Sequence, residues 1–363
     1  MIGKNRAILI VVAAATVFAL LAEIFLLPVQ QYRLNDDASE LTRSRESISM
    51  VAVGDSIAYN IPSEDLAGLS DIIGKPDIFI FNLEGALLES VNDVMKCEKL
   101  PHQSLLTASS SSAKYLKLAS TTIANMANNH VLDCRSEGIE RTKNILASND
   151  ILSVGAGQNL DEACKPLFVK VNNWKIAFVS YNFVTLDKIS AGTDKGGAAS
   201  LEGCKHDYSK IRSEGVDLII ASIHYGIWSA DVDKDQIQLE NKLFGSGVDI
   251  VIGHSPHIPQ AIMSKDGKLA FFSLGNFIFR PDYKMPALAY TSIVPKIEIY
   301  RDKIEVTIYP DRIGDDGIPY LDKVSSTQGN GEIITRIAKV SKALNTDIDL
   351  RDNLGYLSVQ RGR

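Results

Sequence analysis

No block of lysine and arginine stands out in this 363-residue chain, and the net charge is −6. Binding a phosphate backbone needs a concentrated basic surface, so nucleic acid is excluded as a main partner. Cysteine is scarce. Cys97, Cys134, Cys164 and Cys204 are the full set, and none lies in a Cys-x-x-Cys pair, which argues against a zinc ribbon. Internal repeats and low-complexity tracts are missing too. The remaining composition, 45% hydrophobic and 23% charged, is that of a globular protein long enough for one large domain or two ordinary ones.

What is present begins with an apolar run, "AILIVVAAATVFALLAEIFLLPV", residues 7–29. It is long enough to cross a hydrocarbon core of roughly 30 Å. Its one charge is Glu23; Lys4 and Arg6 precede it, and Arg33, Asp36, Asp37 and Glu40 follow. That polarity predicts a single-pass signal-anchor in the cell membrane, with residues 1–6 cytoplasmic and the main domain outside. A cleaved signal peptide has the same polarity and is the rival reading. The nearest small-x-small site, ending at Ala22, carries Leu20 at its −3 position. Residues 30–47 read as a polar tether, and 48–363 as the folded domain. Export would place the cysteines where disulfides persist. Of three possible pairings the sequential one is the expectation, with four free thiols as the alternative.

From Ile48 onward, apolar runs of strand length alternate with helical patterns. "ISMVAVGD", "DIFIFNLEG", "VDLIIASIHYG" and "VDIVIGHSPH" read as strands, and "SEGIERTKNILASND" as a helix capped by Ser136. Three hairpins are expected, one turning at Asn172-Asn173, one at Asp266-Gly267 and a third in "VPKIEIYRDKIEVTIYP". This alternation predicts an α/β fold with mixed sheets; two sheets face to face with helices outside would make a four-layer α/β/β/α sandwich. Residues 331–363 show one helical pattern, Ile333 to Leu344, and nothing further that can be read.

The polar residues cluster at strand exits. Asp55 follows "MVAVG", Glu84 follows "IFIFNL", and Asn128, Asn129 and His130 follow "TTIANMA". His224 follows "LIIASI"; His254 and His257 follow "DIVIG". In open α/β sheets that edge binds ligands. Carboxylate, amide and imidazole donors suit Mn, Fe or Zn, and a glutamate can bridge two such ions. Glycine before Asp55 and before His254 gives the backbone room to turn sharply, and Pro256 and Pro259 stiffen the histidine loop.

"VGDS", "NLEG", "MANNHVLD", "HYG", "GHSPH" and "SLGNF", in that order, resemble the bacterial capsule-synthesis protein CapA family, over about Ile48 to Pro310. The resemblance implies a calcineurin-like metallophosphoesterase-like sandwich, preceded by one N-terminal transmembrane helix, and a role in capsule or poly-γ-glutamate biosynthesis. It implies one or two divalent ions. Asp55 and His257 would serve the first ion and Asn129, His224 and His254 the second, with Glu84 bridging. His130 would protonate the leaving group, with Asn128 and Asn276 supporting the ligands from behind. Two departures stand out: Ile57 replaces the histidine of the metallophosphoesterase Asp-x-His motif, and Val131 follows Asn-His where an acid is usual.

Blander roles compete at each position. Asp55 could cap a turn, Glu84 could pair with a lysine, and Asn129-His130 could be a capping turn. His102 and His206 read as exposed or structural. Trp228 could line a pocket or simply pack. Residues 191–200 could be a lid carrying Lys195 or a plain loop. The expected function is a metal-dependent hydrolase of phosphoester type acting on an anionic polymer or a phosphorylated or γ-glutamyl substrate. Other capsule-synthesis membrane proteins are candidate partners. The alternatives are a non-catalytic polymer-binding or export-scaffold component, or hydrolysis of γ-glutamyl amides.

Overall fold

The computed structural model describes residues 47–57, 66–90, 97, 104–279, 285–314, 316–321 and 330–362. Residues 7–29, most of the tether and His102 lie outside them. Among the described residues no helix is long and apolar enough to cross a membrane.

The main strands are β1 (Ile48–Ser56), β2 (Ile78–Leu83), β3 (Thr121–Asn125), β4 (Ile151–Val154), β5 (Leu167–Val171), β6 (Trp174–Asn182), β7 (Leu218–His224) and β8 (Ile250–His254). There follow β9 (Ile262–Lys265), β10 (Lys268–Phe271), β11 (Asn276–Ile278), β12 (Thr291–Ile299), β13 (Lys303–Ile313), β14 (Asp349–Arg351) and β15 (Leu354–Gln360). The longer helices are α1 (Arg135–Ser148), α2 (Lys234–Ser246) and α3 (Asn330–Lys342).

Two mixed sheets result. The first runs β14-β15-β13-β12-β1-β2-β3-β4, with β11 joining β1; the second runs β9-β10-β8-β7-β6-β5. Alternation along each strand makes the layers. On β1, Met50 and Ala52 join a buried cluster with Ile176, Phe178, Ile220 and Ile252 of the second sheet. Val51 and Val53 face the other way, into a cluster with Ile139, Ile145 and Leu146 of α1. Ala221 and Val251 of the second sheet pack with Leu243 and Phe244 of α2. The sheets therefore meet face to face with α1 and α2 outside.

The three expected hairpins are present, joining β5 to β6, β9 to β10 and β12 to β13. Both sequential disulfides, Cys97–Cys134 and Cys164–Cys204, are formed. Two local expectations need correction. Helix α1 is capped by Cys134 and starts at Arg135, so Ser136 sits inside its first turn. Residues 331–363 hold more than one helix: β14 and β15 extend the first sheet through pairing of β15 with β13. Their short alternation, half exposed, left little pattern to read. Helix α3 inserts Ile333, Ile334 and Ile337 between the sheets. It also closes an edge: the backbone N–H of Ile262 donates to Ser341 Oγ, and that of Ser264 to Thr346 Oγ1, both at 2.8 Å.

Candidate metal centre

Register brings the polar residues into line. Asp55, Asn82 and Asn125 are cross-strand neighbours on β1, β2 and β3, and His224 stands opposite His254 on β7 and β8. Tight backbone crossings make this possible. A Cβ on Gly54 would lie 1.9 Å from the carbonyl oxygen of Gly275, and one on Gly253 would lie 2.1 Å from that of Phe272. The histidine loop then turns through positive φ at Ser255 (96°) and His257 (57°), conformations that cost non-glycine residues energy, on a loop that carries Pro256 and Pro259.

At the centre is Glu84, 1% exposed, with neither carboxylate oxygen hydrogen-bonded. Its Oε1 lies 3.9 Å from His130 Nε2, 3.8 Å from His224 Nε2 and 3.8 Å from His257 Nε2. These distances are too long for hydrogen bonds. They are within the span of about 4.4 Å that two ligands of one ion can reach when each is about 2.2 Å from it. Asp55, Glu84 and His257 together place three donor atoms within 4.8 Å of one another, all buried.

Asp55 is the best-tied carboxylate. It accepts from Asn82 Nδ2 (2.8 Å) and from the Ser255 backbone N–H (3.2 Å), and its Oδ2 is 3.2 Å from His257 Nδ1. His257 Nδ1 also meets Asn276 Oδ1 at 2.8 Å, while Asn276 Nδ2 donates to the Ala289 carbonyl at 3.0 Å. Two acceptors at Nδ1 put a proton there and turn Nε2 toward Glu84. His254 Nδ1 is 3.6 Å from Asp55 Oδ1, and neither of its nitrogens has a hydrogen-bond partner although the ring is fully buried.

Burial and charge set the protonation states. Burial depresses His224 to about 3 and His254 to about 4, against the pull of Asp55, so both rings are neutral with lone pairs to offer. Burial also works against a charge on His257, but the carboxylates of Glu84 and Asp55 outweigh it and raise the ring above its ordinary value. Burial would raise Asp55; the hydrogen bond and charge of His257, with His224 and His254, hold it well below the usual range. Glu84 has no such hydrogen bond, and burial pushes it up.

Beside the centre, His130 Nδ1 is 2.8 Å from Asp133 Oδ2, which also accepts from the Leu106 backbone N–H at 2.7 Å. Asn128 fastens this turn: its Nδ2 donates to Asn82 Oδ1 (3.1 Å) and the Leu83 carbonyl (2.7 Å), and its Oδ1 accepts from the His130 backbone N–H (3.0 Å). Asn129 lies between them with a buried Oδ1 that no hydrogen bond satisfies.

The structure thus gathers Asp55, Glu84, His130, His224, His254 and His257 by measured contacts, with Asn128 and Asn276 behind them. Glu84 meets imidazoles rather than a lysine. Sequence reasoning missed Asn82, which touches both Asp55 Oδ1 and His224 Nδ1 (3.2 Å), and it missed Asp133 as the partner of His130. The signal for Asn82 was a polar residue in register with Ile78 and Ile80, on the inter-sheet side of a wholly buried strand. His206 is structural: Tyr181 hydroxyl meets its Nδ1 and its Nε2 meets the Cys164 carbonyl. Lys195 turns back to the Lys188 carbonyl at 2.8 Å, closing its own loop.

A divalent ion fits this donor set. Unsatisfied buried oxygens on Glu84 and Asn129, unsatisfied nitrogens on His254 and neutral His224 are what such an ion would complete.

Comparison with known proteins agrees on ancestry. Residues 46–281 match the family model of the bacterial capsule synthesis protein PGA_cap. The capsule biosynthesis protein CapA of Bacillus anthracis is 26% identical over 284 residues, 73% of this chain and 68% of that protein. The PGA biosynthesis protein CapA of Bacillus subtilis (strain 168) is 31% identical over 179 residues, so the chain spans about half (47%) of that relative's length. Among solved structures, the NAD nucleotidase of Haemophilus influenzae overlaps with a TM-score of 0.40 at 14% identity, covering 76% of this chain and 48% of that one, which is too loose to bear on the chemistry. By the family match across residues 46–281, this chain belongs to the bacterial capsule synthesis protein PGA_cap family.

Proposed function

We propose that this protein is a divalent-metal-dependent hydrolase of phosphoester type. In this reading it is anchored to the membrane by residues 7–29 and works outside the cytoplasm on an anionic substrate of capsule or poly-γ-glutamate assembly. The observation that carries the chemistry is Glu84 Oε1: a buried carboxylate oxygen without a hydrogen bond, ringed at 3.8–3.9 Å by three imidazole nitrogens. Nothing in an ordinary core calls for that arrangement, whereas one or two cations do.

Asp55, Glu84, Asn129, His224, His254 and His257 would hold the ions. When bound, they supply an activated water and an electrophilic clamp for a phosphoryl oxygen. The chain's own groups do the rest. Asn276 and Asp55 fix the tautomer of His257, and Asn82 spaces Asp55 from His224. Asp133 orients His130 through Nδ1, leaving Nε2 on the Glu84 side to give a proton to a leaving oxygen. Near-complete burial of these groups removes competing water and strengthens every charge interaction among them.

The test is metal analysis of the purified full chain, then turnover of bis(p-nitrophenyl) phosphate with added Mn²⁺. Bound metal and turnover, both lost in His257→Ala, support the reading. Stoichiometric metal with no turnover of esters or γ-glutamyl peptides replaces it with a binding role. A chain that takes up no metal under any condition overturns it.

A further inference from the structure

Among the described residues, Ile227 and Trp228 are large apolar neighbours left 73% and 45% exposed. They come directly after His224-Tyr225-Gly226. The Trp228 indole lies against the His257 imidazole, centroids 4.4 Å apart, while Phe279 meets the same imidazole edge-on at 5.4 Å. An indole that only filled space would be expected to bury more of its surface, since each exposed apolar area forgoes transfer energy.

This indole is also held in place. Gln260, at the end of the histidine loop, donates from Nε2 to the carbonyls of Ser229 (3.1 Å) and Asp231 (2.9 Å), on either side of the segment's tip. Gln260 Oε1 in turn accepts from Gln236 Nε2 at 3.0 Å, and Gln236 is locked by its capping box with Asp233. Gly226 turns the chain sharply at φ 87°, where a Cβ would come within 2.9 Å of Gln236 Nε2 and 3.3 Å of Pro256 Cγ. The loop that carries the exposed ring is therefore bolted to the loop that carries the ligand histidines.

We propose that Trp228, with Ile227 beside it, is the substrate-facing wall of the metal centre. It selects anionic substrates that carry a planar or apolar group next to the ion-binding head, over bare anions such as inorganic phosphate. This rests on the metal reading above and narrows its substrate class to organic esters or amides.

The test is calorimetry on the Mn²⁺-loaded full chain with phenylphosphonate and methylphosphonate, which share one head group. The ratio of the two affinities removes any effect of the substitution on the ion itself. The expected result is a preference of about tenfold for phenylphosphonate, worth one good aromatic contact, falling below about twofold in Trp228→Ala and kept in Trp228→Phe. Equal affinities in the parent, or a preference that survives Trp228→Ala, overturn the wall while leaving the metal centre standing. Failure to bind Mn²⁺ in the same cell overturns both.

Discussion

The two sheets bring different chemistry to the same place. The first supplies carboxylates, Asp55 and Glu84, from the exits of β1 and β2. The second supplies imidazoles, His224, His254 and His257, from the ends of β7 and β8 and the loop after β8. The carboxylates of the first sheet lie in a field of histidines, and two of the second sheet's histidines are kept neutral by burial. Neither sheet alone offers a balanced set, so the centre is a property of their packing. His130 is the exception, an imidazole on the oxygen side, and its Nδ1 is already taken by Asp133.

The largest effect should come from removing the shared atom. Glu84→Ala is expected to weaken Mn²⁺ binding by more than about 100-fold, beyond the usual cost of losing an outer partner. Titration with the metal checks it, and a variant that keeps its ion would show that the oxygen side is dispensable. Next, an ion that joins the sheets must stabilise the fold. Mn²⁺ at a hundredfold excess over its Kd should add about 2.7 kcal/mol to unfolding in urea, reversed by EDTA; an unchanged midpoint breaks the picture of a cation between the layers.

A finer test compares the orienting amides. Asn82 touches both sides and Asn276 only His257, so Asn82→Leu should approach an affinity loss of about 100-fold and Asn276→Leu stay near about tenfold. Equal losses would mean that Asn82 does not couple the halves. The smallest effect concerns acids away from the centre, one on each sheet's side. Tyr225 hydroxyl donates to Glu240, which burial raises to about 8, and Ser292 hydroxyl donates to Asp311, which burial raises to about 7. A raised acid keeps its proton when folded after the unfolded chain has lost it, so stability falls as pH rises from the ordinary carboxylate range toward the folded value. Glu240→Gln should remove that slope, gaining on the order of 1 kcal/mol over the parent between pH 5 and 6. Denaturation at the two pH values measures it; parallel curves would mean that Glu240 is ionised in the fold.

Much of this was legible because strands with two buried faces must end somewhere, and polar residues at several such ends have few structural excuses. Gly54 and Gly253, read as residues for a sharp turn, serve instead as close backbone crossings. The inner-face polar string was harder to see. Asn82, Asn125, Ser180 and Ser222 each follow inward-facing apolar residues on their strands, and Asn125 links Asn82 to Ser180. In sequence each reads as an unremarkable strand residue, because its meaning depends on which strand lies opposite. Asp133 was obscured by distance from the usual position after Asn-His. The hairpin of β14 and β15 was missed because β14 is a short, exposed strand and β15 buries only one of its faces.

The hydroxyls of Ser341 and Thr346 have a consequence beyond the fold. Strand β9 is one margin of the second sheet, and the amide hydrogens of Ile262 and Ser264 on it are already engaged by these two side chains. Along this margin a stray extended segment from a neighbouring molecule finds no free row of amides to zip onto.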